Sequence, residues 1–206
     1  MKKISLFLSM ALTIFATTFV SCGDEQVTPE DPNNPENANW DVYSFNETLN
    51  YNSTKASSNS AFSASSRQAV PATSASADFC VGTQGQYGTF VCSPNASLLA
   101  QCYDANGITY SSNKSTKIQN LGSVDIKDYN DASTFDKMTI TSDYFVDKNG
   151  QTQKSLGVGV NQLSSGQAIA FETSDGCKGV AKMSFSKVTK AVTISGYVAV
   201  PKNASH

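Results

Sequence analysis

From Lys182 the chain reads KMSFS, turns at Thr189-Lys190, and resumes with Val192, Ile194, Val198 and Val200 in one phase. Successive side chains of an extended backbone point to opposite sides, so strict apolar–polar alternation marks a strand with one buried face. Two such runs around a tight turn make a β-hairpin. The same period recurs upstream. Met138, Ile140, Tyr144 and Val146 precede a turn at Asp147–Gly150, which leads into Leu156, Val158 and Val160. Ile169 and Phe171 mark a strand that Ser174-Asp175-Gly176 ends, and Val124 with Ile126, Ile108 with Tyr110, and Phe90 with its neighbours suggest three more. One helix is credible, in SPNASLLAQCYDANG, with Ser93 as cap, Pro94 in the first turn, Gly107 as the stop, and Leu98, Leu99 and Cys102 as the buried stripe. The fold class is mainly β: a single antiparallel β-sandwich or barrel of about 7–9 strands with one short helix.

The first 39 residues have another character. Met1-Lys2-Lys3 is a basic start, and Ile4–Val20 is an apolar run diluted by serines and threonines, too polar and short for a comfortable membrane span. It ends in FVSC, Phe19 to Cys22, followed by Gly23, Asp24 and Glu25. Val20-Ser21-Cys22 resembles the lipobox of bacterial lipoproteins, in which a small residue precedes a cysteine that is diacylated and becomes the new N-terminus. The resemblance covers residues 1–26. It implies a signal peptide at 1–21 and lipidation at Cys22; with an ordinary secretory leader cut nearby, Cys22 would be incidental. Gly23 looks unlike the inner-membrane retention signal of enteric bacteria, whereas Asp24-Glu25 resembles the acidic signals that send lipoproteins to the outer face in some Gram-negative groups. Each buried acyl CH₂ contributes roughly 0.8 kcal/mol, so several chains anchor where one would not.

Residues 22–39 hold three prolines, five acids and no base, and read as a solvated tether. A β domain is expected over 40–202. It opens with Trp40, Val42, Tyr43, Phe45, Leu49 and Tyr51, a strand whose aromatics would invite aggregation unless docked on the main sheet. In 53–77, 16 of 25 residues are Ser or Ala, which suggests a mobile loop or linker.

Charge narrows the function. The formal charge is −2, and removing Lys2 and Lys3 with the leader leaves 13 basic and 17 acidic residues, near −4. From Asp78 onward 11 lysines face 10 acids, with no basic patch for nucleic acid. The only histidine is His206, so nucleophilic triads lack a base within the domain. Acids such as Asp147 and Asp175 sit in turns, where their ordinary task is turn chemistry. DIKDYNDAS (125–133) lacks the glycine of a calcium loop, and GTQGQYG (82–88) lacks the lysine of a phosphate loop. Five N-x-S/T matches, at Asn46, Asn52, Asn95, Asn113 and Asn203, carry no weight behind a bacterial leader. No cofactor or metal is implied.

With Cys22 assigned to lipid, Cys80, Cys92, Cys102 and Cys177 remain, an even number in an exported chain, and three pairings are open. The expectation leans to Cys92–Cys102, pinning the helix to its preceding strand, with Cys80–Cys177 closing the sheet. The spacings contain no C-x-x-C, which argues against zinc. Phe145 and Tyr197 fall on the nominally polar faces of their strands, where they would stack on sugar rings or anchor a protein, unless both faces are covered.

These features converge on a non-enzymatic outer-membrane lipoprotein, facing outward, that presents a disulfide-stapled β domain for binding, adhesion or envelope assembly. Its partners would be the membrane, through the lipid, and a glycan or protein at the cell surface, with no nucleic acid. The alternative is a lipocalin-like barrel carrying a small apolar ligand. Cys22→Ala should move the protein from the membrane to the soluble fraction on cell fractionation; undiminished membrane retention would refute the anchor.

Overall fold

The computed structural model describes residues 39–51, 59–104 and 114–202. Cys22, the expected leader at 1–21, Gly107, Ile108, Tyr110 and His206 lie outside them. Among the described residues eleven strands form two antiparallel sheets. The first has the order β1 (Trp40–Asn50), β11 (Ala191–Pro201), β10 (Lys178–Ser186), β9 (Ala168–Thr173), β6 (Thr116–Gly122). The second runs β3 (Gln68–Val70), β2 (Ala61–Ser63), β4 (Phe79–Gln84), β5 (Gly88–Cys92), β8 (Thr152–Asn161), β7 (Tyr144–Val146). Among the described residues the helices are α1 (Ser97–Asp104) and α2 (Ala132–Lys137), with a 3₁₀ turn at Lys127–Asn130 before α2.

The hairpin that alternation predicts is β10–β11. Met183 lies opposite Ile194 and Phe185 opposite Val192, and Val192, Ile194 and Val198 are fully buried. The first strand docks as expected: all of β1 pairs with β11, turning Phe45 and Leu49 into the core. Asp147 does turn chemistry, accepting the N–H groups of Asn149 and Gln151 at 2.8 and 2.9 Å.

Between the sheets the core is built around Phe62. Its ring lies 4.5 Å from Phe45, 5.2 Å from Phe79 and 6.2 Å from Phe171, centroid to centroid. Phe171 fits because Gly179 faces it across the β9–β10 ladder; a Cβ there would come within 2.2 Å of the ring. The interior is thus filled by aromatic rings, and the two sheets do not close into a barrel. The alternative between sandwich and barrel resolves to a sandwich, which removes the interior that a carrier barrel would need.

The sheet edges meet without a ladder. On one side the Glu47 carboxylate accepts the Ala69 N–H at 3.2 Å, and the Arg67 guanidinium sits 4.2 Å over the Tyr43 ring. On the other, Asp143 acts as a clasp. Its N–H donates to Ile118 O in the first sheet at 2.8 Å, and its carbonyl accepts the Gly159 N–H of the second at 3.1 Å. Its carboxylate also accepts the Asn120 N–H at 2.7 Å.

Several expectations are corrected. The Ser/Ala-rich stretch is not loop throughout: β2 and β3 lie in it, because Phe62 is the central core ring, Ala64 packs in the same core, and Ala61 packs in the cluster on the far face of the sheet. Val124 and Ile126 form no strand; they lead into the 3₁₀ turn, and Ile126 is buried against the outer face of the first sheet. The end of the DIKDYNDAS stretch starts a second helix, in which Asp131 accepts the Ser133 N–H at 2.9 Å as a cap. The helix α1 begins at Ser97 rather than beside Ser93, because Ser93–Ala96 forms a turn closed by the Ala96 N–H on Ser93 O at 3.0 Å. Its stripe of Leu98, Leu99 and Cys102 is buried as expected.

Phe62→Ala should cost about 3–5 kcal/mol in urea denaturation, since rings from both sheets lose their common contact. Tyr43→Ala at the exposed edge should cost about 1 kcal/mol or less. Equal losses would show that Phe62 is not the joint between the sheets.

Candidate functional site

Residues 123–143 cross the outer face of the first sheet as a strap. Ile126 and Ile140 are buried beneath it against Ala168, Ala170 and Val180, with Tyr129, Met138 and Tyr197 packed alongside. Polar contacts hold α2 down. The Trp40 indole N–H donates to Asp136 at 2.6 Å, and the Lys178 ammonium donates to the Phe135 and Met138 carbonyls at 3.1 and 2.9 Å. A cation at those carbonyls complements the negative end of the helix dipole. The same ammonium lies 5.4 Å from the Trp40 ring.

A shallow groove opens on each flank of the strap. One, of about 270 Å³, is lined by Gln119, Leu121, Tyr129, Thr134, Lys137 and Met138 among others. The second, of about 240 Å³, lies by Ser44, Ile126, Lys127, Ser195 and Tyr197. Each combines a tyrosine, a lysine and hydrogen-bonding side chains. Both fall short of the roughly 300–1,000 Å³ usual for pockets that enclose a small molecule. Their chemistry suits a contact made across a surface, with a tyrosine ring as platform and polar groups around it.

Of the two aromatics singled out from the sequence, Tyr197 is half-buried in the wall of the second groove. Phe145 is fully buried and is not a surface contact. It does face away from the inter-sheet core, as alternation requires, but that face of the second sheet is covered by α1 and its neighbours. Phe145 meets Phe90 edge-on at 5.6 Å and occupies the place a Cβ at Gly159 would need. Tyr129, Gln119 and Thr134 were missed. Gln119 is one polar residue of β6, the only sequence signal of Tyr129 and Thr134 is a polar stretch with one aromatic, and the strap alone brings that stretch beside β6.

At one end of the sandwich lies a charged cluster built around the buried Asp78. The Asp78 carboxylate, 2% exposed, accepts the Ala64 N–H at 2.7 Å and the Lys114 ammonium at 3.0 Å. Lys114 also donates to Asp175. Nearby, Thr116 donates its hydroxyl to Asp78 O and its N–H to Ser93 Oγ, and the Cys177 N–H donates to Thr173 Oγ1 at 3.1 Å. Burial pushes the Asp78 carboxyl above its ordinary range and outweighs the opposing pull of the Ala64 N–H and Lys114. Although burial opposes its charge, Lys114 is held above the ordinary lysine value by Asp175 and Asp78. Burial raises the Cys177 thiol too, with the Asp78 charge adding to it, so it stays protonated at neutral pH and is a poor nucleophile. The cluster pins chain segments together.

No disulfide joins Cys80, Cys92, Cys102 and Cys177 in this structure. The first three share the cluster under α1, whereas Cys177 lies in the core between the sheets. Among the described residues no group of His, Cys, Asp and Glu is arranged to hold a metal. No helix among them is long and apolar enough to cross a membrane. No protein-family model, curated protein or solved structure matches the chain.

An acid whose pKa is raised by folding binds more protons folded than unfolded between its two pKa values, so its ionisation subtracts stability as pH rises through the raised value. Lys114 offsets that loss. Lys114→Met should therefore destabilise the protein by about 3 kcal/mol at pH 7. The loss should shrink as acid protonates Asp78, in urea titrations from pH 7 to pH 4. A loss independent of pH would mean that Lys114 contributes packing alone.

Proposed function

We propose that the chain is a non-enzymatic lipoprotein of the bacterial outer membrane, anchored through Cys22, that presents its β-sandwich outward for binding or adhesion at the strap-covered face. The observation that carries this reading is the pair of grooves beside the strap. The interior is packed solid, so a ligand meets the domain at its surface, and there the aromatic and polar groups suited to a glycan or a protein loop lie together. The leader and its lipobox-like FVSC support the location, and the acidic 22–39 segment supports a tether between lipid and domain. The chain holds a single histidine, His206, which supports binding over hydrolysis.

Protease added to intact cells should release the domain, and Tyr129→Ala with Tyr197→Ala should reduce retention of those cells on glycan- or protein-coated surfaces at least several-fold while leaving surface display intact. A domain protected until the envelope is opened would overturn the outward orientation. Undiminished retention by the double variant would overturn the grooves as the binding site.

A further inference from the structure

The helix-covered face of the second sheet gathers three thiols. Along β4, Phe79 and Val81 point to the inter-sheet core, so Cys80 points the other way; along β5, Val91 points to the core and Cys92 away from it. Cys102 descends from the buried stripe of α1 into the same cluster, beside Leu98 and Leu99. The helix packs against β4 and β8, the two strands that flank β5, so it rides over Cys92.

The two strand thiols face each other but are poorly placed to join. Cys80 is the register partner of Cys92. Val81 donates its N–H to Ser60 O on the β2 side, so the peptide groups of Cys80 are turned towards β5. That makes Cys80/Cys92 a hydrogen-bonded pair, the wider kind, with Cβ atoms about 5.5 Å apart. A disulfide wants about 3.5–4.5 Å between Cβ atoms. Bridging the pair would drag the ladder out of shape. A thiol arriving from a helix has no such restriction, and Cys92 stands within electrostatic reach of both Cys80 and Cys102. Cys177, in the turn between β9 and β10, packs in the core between the sheets, whereas Cys80 packs in the cluster under α1, so the two thiols lie on opposite faces of the second sheet.

We propose that oxidation joins Cys92 to Cys102, stapling α1 to β5, and leaves Cys80 and Cys177 as thiols. The proposal rests on the envelope reading only for its oxidant, a disulfide-bearing oxidoreductase or small disulfide of an exported compartment. Cys102, as thiolate, attacks that disulfide; a mixed disulfide forms and one oxidant thiolate leaves. Cys92, as thiolate, then attacks the Cys102 sulfur, the protein bridge forms, and the second oxidant thiolate departs. Two protein thiols lose two electrons and two protons, and one oxidant disulfide becomes two thiols. Cys92 is completely buried and its thiol is pushed well up by burial, so the second step belongs to folding, before α1 closes over β5.

The test refolds the reduced full chain carrying Cys22→Ala in a reduced/oxidised glutathione mixture, alkylates it, and maps it by mass spectrometry. The digest must use chymotrypsin, because no lysine or arginine lies between Arg67 and Lys114, whereas Phe79, Tyr87, Phe90, Leu98, Leu99 and Tyr103 separate the three cysteines. The expected result is a Cys92–Cys102 linked peptide with Cys80 and Cys177 alkylated. Reductant should lower the melting temperature by roughly 5–10 °C in this chain and in its Cys80→Ser variant, but not in Cys102→Ser. A dominant bridge involving Cys80 or Cys177, or alkylation of all four, would overturn the proposal. If the bridge forms on refolding but is absent from protein recovered from the native host's cells, the exported location fails and the geometry stands.

Discussion

The contact of Phe62 with Phe45, Phe79 and Phe171 is the joint on which the molecule turns. Two of these rings come from the five-stranded sheet and two from the six-stranded one. Neither seam between the sheets is closed by a ladder, so apolar contact across the interior must hold the layers together. Aromatic rings bury the most area per residue and do so efficiently. Gly179 shows how finely the space is set: β10 carries no side chain there, so the far end of the Phe171 ring can reach its backbone.

Once the interior is filled, the outer faces decide the rest. Ten- and eleven-residue strands that alternate cleanly would leave one side in water, yet both sheets carry a second apolar cluster on their far side. On the second sheet the cover is α1, which seals Phe90 and Phe145 and draws three thiols into one compartment. On the first sheet it is the strap, narrower than the sheet it crosses. Its flanks leave the two grooves, so the candidate binding surface follows from an incomplete cover over the sheet. Trp40, Lys178 and Asp136 set where that cover lies.

Local sequence carries the period of β10 and β11, which appear with the facing residues expected, and β1 docks where its aromatics demand; of the alternating run Met138–Val146 only Tyr144–Val146 is strand, because Met138 and Ile140 pack on the outer face of the first sheet. The stripe of α1 was legible from its local period too. The three-residue strands β2 and β3 were not, since a run of Ser and Ala has no period to read; Phe62 earns its place only from rings distant in sequence. Ile126 reads as a strand residue by spacing with Val124, yet the chain turns there because Asp125 and Asp131 bind local N–H groups. Phe145 marks the limit of periodicity. Alternation places it on the far face, but whether that face is wet depends on a helix some forty residues earlier.

What the sequence determined by itself is therefore local: an antiparallel β fold, the phase of its longer strands, and the position of its one clear helical stripe. These are encoded by neighbours two to four residues apart. Only the tertiary structure decided that the sheets form a sandwich, that Phe145 is sealed while Tyr197 borders a groove, and that Cys80 shares a compartment with Cys92 and Cys102 rather than with Cys177. Each of those depends on which surfaces pack together, and burial is a property of the partner as much as of the residue.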